Sequence, residues 1–98
     1  MDSKMHKNSM EAIRMLLADN SLQDKEKQVL FSIYQGKKMT RQMVAFDLGW
    51  YINSVTGRVK SLLDNGYIYE SGSTIVRGRS RSILELTKKG SEYVKKFS

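Results

Sequence analysis

Apolar residues recur along this chain at helical spacing in five places and at strand spacing in two. Met10, Ile13, Leu16 and Leu17 fall on one side of a short first helix that Ser9 can cap and that ends at ADNS. Ser21 and Asp24 resemble a capping pair, with Asp where Glu is usual, ahead of a second helix whose buried stripe is Val29, Leu30, Ile33 and Tyr34 and whose stop is Gly36. Thr40 is a good N-cap for a short third helix carrying Met43, Val44, Phe46 and Leu48 and closed by Gly49. The fourth starts near Tyr51 to Asn53 and runs to Asp64, with Ile52, Val55, Val59, Leu62 and Leu63 as its core-facing stripe; Asn65 and Gly66 end it. Polarity then alternates in YIYES and SILELT, two short strands joined by the polar stretch GSTIVRGRSR into a hairpin. Thr87 caps a last helix that docks Tyr93, Val94 and Phe97 and whose first turn Gly90 weakens.

Two short helices joined by a tight glycine turn, followed by a hairpin with a basic tip, form the winged helix-turn-helix plan. The predicted fold class is mainly α with a small β-hairpin wing (α+β). From residue 39 to 90 the chain resembles the winged-helix regulators related to the multiple-antibiotic-resistance repressor (MarR) family. The landmarks are Ala45 facing inward, Gly49 in the turn, NSVT opening the second helix of the pair, LLDNGYI leading into the wing, and LELTKKG after it. NSVTGRV is also similar to the opening found in short phage- and plasmid-type winged-helix proteins. The resulting division is a flexible tail over 1–8 and one domain over 9–98, with the helix-turn-helix at about 40–64, the wing at about 67–87 and the C-terminal helix at about 88–97. The resemblance implies a small transcriptional regulator that binds double-stranded DNA, and a homodimer formed through residues 9–18 and the C-terminal helix.

Charge sharpens that expectation. The 98 residues carry 17 Lys and Arg against 10 Asp and Glu, a formal charge of +7, which favours a polyanionic partner. The surplus is concentrated late: residues 71–98 hold seven basic and two acidic side chains, whereas 1–24 hold three and four. With no cysteine, disulfides and thiolate zinc sites are excluded, and the composition fits a reducing cytoplasm. No apolar run reaches membrane length, and no signal peptide is visible at the start.

A recognition helix reads base edges mainly with its first two turns, so their outward face must be polar. At 100° per residue from Val55, Asn53, Gly57 and Lys60 lie about 140° to 200° away, with Ser54, Arg58 and Ser61 as flanking residues. Asn pairs with adenine and Arg with guanine, and either binds phosphate instead. The ordinary reading is that every surface helix has such a side. Arg77, Arg79 and Arg81 surround Gly78, and in an extended segment they line one edge suited to a minor groove or to phosphates; otherwise they are a solvated hairpin tip. Lys37, Lys38, Thr40 and Arg41 surround the start of the third helix, a further phosphate contact or a plain solubilising cluster. Tyr51 either packs or offers its hydroxyl to phosphate, and Trp50 reads as a plug between helices.

Catalysis finds little material. His6 is the sole histidine, no acidic pair has acid–base spacing, and RGRSR lacks the pattern of a nucleotide loop, so no enzyme, cofactor or metal site is expected. The competing function is a winged helix that binds a protein, such as a phage-type modulator of a host complex, because fold does not fix function. Nothing in the sequence marks a small-molecule pocket.

Overall fold

The computed structural model describes residues 22–96. Three helices, α1 (Asp24–Gly36), α2 (Arg41–Leu48) and α3 (Ile52–Asp64), precede an antiparallel hairpin of β1 (Ile68–Val76) and β2 (Arg79–Leu86), and α4 (Lys88–Lys95) follows. The predicted helix over residues 9–18, the tail, Ser21 and Phe97 lie outside the described residues.

The cap of α1 differs from the expected pair. Gln23 is the N-cap, and its backbone N–H donates to Glu26 Oε1 at 2.9 Å, so Glu26 rather than Asp24 closes the first turn. At the other end the left-handed residue is Lys37 (φ 70°), not Gly36. Gly36 instead lies against the Met39 side chain, whose flexible thioether end would have to move for a Cβ.

α2 begins as expected: Thr40 Oγ1 accepts from the Met43 N–H at 3.2 Å, and Gly49 (φ 70°) ends the helix in the left-handed region. Its buried stripe is narrower than its set of apolar residues. Val44 and Ala45 are buried, but Phe46 is 91% exposed and Met43 49% exposed. Phe46 lies two residues, about 200°, beyond Val44 and therefore on the opposite side of the helix.

Val55, Val59 and Leu62 of α3 are wholly buried; Ile52, at the first turn, extends past the edge of the core and is 39% exposed. They meet Val29, Leu30 and Ile33 of α1, Val44 of α2, Ile68 and Leu84 at the foot of the hairpin, and Tyr93 and Val94 of α4 in one core. Two polar contacts fasten α1 to the helix pair: Ser32 Oγ donates to Asp47 Oδ2 at 2.7 Å, and Ser61 Oγ donates to Glu26 Oε2. Trp50 packs against the core between the paired helices, with Lys25 Nζ 5.9 Å from its ring centroid.

The hairpin is longer than the two segments predicted for it. GSTIVRGRSR is almost all strand, because Thr74, Ile75 and Val76 favour extended backbone and the chain needs only Arg77 and Gly78 to reverse. Pairing runs from Ile68↔Leu86 to Val76↔Arg79, with a bulge between Glu70 and Gly72. Met39 joins the foot of the sheet through its bridge to Leu84.

Gly90 does not merely weaken α4. A Cβ there would lie 2.0 Å from the Tyr67 carbonyl oxygen, so the helix rests its first turn directly on the backbone after α3. Thr87 completes the joint, accepting from the Gly90 N–H at 3.1 Å and donating from its hydroxyl to the Gly66 carbonyl at 2.6 Å.

Candidate nucleic-acid interface

Tyr51, the N-cap of α3, is 88% exposed. Behind it Asn53, Gly57 and Lys60 form an exposed strip on the side of α3 away from Val55, and nothing lies within 4 Å of where a Cβ of Gly57 would be. The flanking residues are less exposed. Ser61 is bonded inward to Glu26, and Ser54 is half-buried. Arg58 is also half-buried, and its Nε is shielded from solvent without a hydrogen-bond partner. Helical arithmetic explains this: Arg58 lies only about 60° from Val55, nearer the core than the outer face. The outward strip is therefore smaller than the six residues expected, and its charge is carried by Lys60.

With open space around Gly57, alanine there improves helix propensity at no steric cost. Gly57→Ala is expected to stabilise the fold by about 0.5–1 kcal/mol, seen as a higher urea midpoint. An unchanged or lower midpoint would contradict the open surroundings.

The three wing arginines do not line one edge. Arg77 (φ 51°) and Gly78 (φ 77°) are the two central residues of the hairpin turn, both left-handed as a type I′ turn requires. An arginine in that conformation is unfavourable by roughly 1 kcal/mol. Arg79, opposite Val76, and Arg81, opposite Thr74, share a strand face by alternation. Arg79 is exposed; Arg81 is half-buried. The Gln42 amide, oriented with its oxygen toward Arg81, accepts from Nε at 3.2 Å and from Nη1 at 3.1 Å.

Arg41 stands beside this clasp, its Nη1 3.7 Å from Glu70 Oε2. Arg41, Gln42, Ser80, Arg81 and Ser82 line a cleft of about 170 Å³ between the start of α2 and the wing. Thr40 is only 3% exposed and is occupied by capping, which removes it from the candidate contacts, whereas Lys37 and Lys38 are exposed. Gln42 and Glu70, the partners of these two arginines, were not marked by the sequence. Each acts on a residue about 30 to 40 positions away, a distance that no local pattern spans.

Among the described residues no group of three or more His, Asp or Glu is placed to hold a metal, and no helix is long and apolar enough to cross a membrane. A cleft of about 400 Å³ does open between α1, β2 and α4, where Tyr34, Lys37, Glu85 and Lys95 are among the lining residues. No residue pattern in the sequence marks it.

No protein-family model matches the chain, and no curated protein matches it. Solved structures do. The transcriptional regulator Tm0710 from Thermotoga maritima superposes with a TM-score of 0.73 over 98% of this chain and 66% of its own, at 25% identity. A mutant MarR from E. coli does so with a TM-score of 0.72 over 99% of this chain and 72% of its own, at 17% identity. The chain has a MarR-like winged helix-turn-helix fold. A mutant E. coli MarR complexed with operator DNA also matches, with a TM-score of 0.68 over 98% of this chain and 69% of its own, at 15% identity. In this MarR-like arrangement α2, the Gly49 turn and α3 are the helix-turn-helix, β1 and β2 are the wing, and α4 closes the core beneath them. The neighbours are regulators of transcription rather than enzymes.

Proposed function

We propose that this protein is a transcriptional regulator that binds double-stranded DNA, with α3 in the major groove and the wing on the minor groove or the flanking phosphates. The observation that carries this reading is the exposed strip of Tyr51, Asn53, Gly57 and Lys60 at the front of α3, on a fold shared with a chain solved on operator DNA. Asn53 is the direct reader, since its amide can pair with both hydrogen-bonding groups of an adenine edge. Lys60 and the exposed Arg77 and Arg79 supply charge to the backbone. Arg58 is a supporting residue in this scheme, held to the core side of the helix, rather than the base reader expected from its residue type.

Selection of bound duplexes from a random pool at physiological salt tests the reading. A defined motif should emerge, and a palindromic one would mean two copies of the chain on one site. Asn53→Ala should relax the motif at one position, worth about 1–3 kcal/mol of discrimination, while Arg58→Ala leaves the motif as it was. Should no duplex be retained even at about 50 mM salt, DNA binding is abandoned and an acidic protein surface becomes the partner to seek.

A further inference from the structure

A carboxylate on a surface that meets duplex DNA opposes binding, because the phosphates carry like charge. Glu70 is such a carboxylate, set in β1 at the foot of the wing beside Arg41, with 48% of its side chain exposed against 27% for Arg41. An ion pair this open to solvent contributes little to folding, so stability is a poor reason for it. Its position suggests another. The bulge between Glu70 and Gly72 breaks the strand register at this point, and the carboxylate comes to Arg41 at the edge of the cleft that Arg81, Ser80 and Ser82 also line. Gln42 holds the Arg81 guanidinium at two of its three nitrogens, which fixes its plane. The cleft therefore combines two permanently charged forks, donors that suit a phosphodiester, with a carboxylate already engaging one fork.

We propose that this cleft seats one backbone phosphate of bound DNA, and that Glu70 stands in for that phosphate on Arg41 in the free protein. The proposal rests on the DNA-binding reading above. Carboxylate and phosphate compete for the same guanidinium, so what Arg41 adds to binding is the difference between the two partners. Glu70 thereby lowers affinity for every duplex alike, with no contact to a base. It keeps non-specific binding weak and makes the protein depend more on what α3 reads.

Glu70→Gln removes the charge and keeps the shape. Measured against the selected duplex and a scrambled one, it should tighten both by about 3- to 10-fold at roughly 0.1 M salt and steepen the slope of log affinity against log salt by up to about 1. The thermal midpoint should stay where it is. In an Arg41→Ala background the same substitution should change affinity by less than about twofold, since the competition has lost its object. Wild-type binding with no gain from Glu70→Gln overturns the proposal. So does an equal gain in both backgrounds, which would make Glu70 a simple repeller of DNA. If wild type and every variant fail to bind duplex, the DNA-binding reading itself falls and takes the phosphate seat with it.

Discussion

Gly90→Ala destabilises the protein by about 3 kcal/mol, read as a fall in the urea midpoint, even though alanine is the better helix former by about 1 kcal/mol. The added methyl would meet the Tyr67 carbonyl oxygen at 2.0 Å and Leu86 Cγ at 3.3 Å. A backbone carbonyl cannot step aside as a flexible side chain can, and this one also accepts the Thr87 N–H at 3.0 Å. Relief would require α4 to lift away from the turn after α3, loosening the Tyr67–Tyr93 edge contact and the burial of Val94. A midpoint equal to or above wild type would show that α4 does not sit this close. Gly57→Ala, with opposite sign, is the internal control: two glycines inside helices, one in open space and one against a carbonyl.

The second large effect concerns binding. Arg77 and Arg79 are exposed at the end of the wing, where neither has an internal partner to satisfy. Each phosphate contact contributes about 0.9 to the salt slope, which amounts to roughly eightfold in affinity between 1 M and 0.1 M salt. The Arg77→Ala/Arg79→Ala double variant should therefore bind any duplex about 60-fold more weakly at 0.1 M and lose nearly 2 from the slope, with its selected motif intact. Arg77→Ala also leaves a residue with the same unfavourable left-handed backbone, so folding stability should barely move. Filter binding across a salt series reads both quantities; loss of motif without loss of slope would assign the wing to base reading instead.

Much of this architecture is legible in the sequence because it follows from short-range rules. The stripe of Val55, Val59 and Leu62, the Thr40 and Thr87 caps and the Gly49 turn each depend on residues within about one or two helical turns. The errors also share a cause. Phe46 is one of four large apolar residues that the pattern places on α2, yet an eight-residue helix has room for only one narrow buried stripe. The outer wing reads as a connection because it is polar, yet a hairpin ladder is satisfied by backbone hydrogen bonds without burial. On α3, the outward placement of Asn53, Gly57 and Lys60 is legible from angle alone, and the same arithmetic applied to Arg58 already puts it toward the core. The pairings of Arg41 with Glu70, Arg81 with Gln42 and Ser61 with Glu26 join distant parts of the chain. They become visible only once the chain has folded.

Residues 71–80 of the wing are exposed on both faces, so no buried side chain penalises a slip of one strand along the other. Alignment there rests on the turn at Arg77 and Gly78 and on the bulge beside Glu70. Adding or removing one residue beyond the bulge would exchange the two faces, turning Arg79 to the opposite side while the core beneath kept every contact. Inheritance can thus re-aim this arm without refolding the body that carries it.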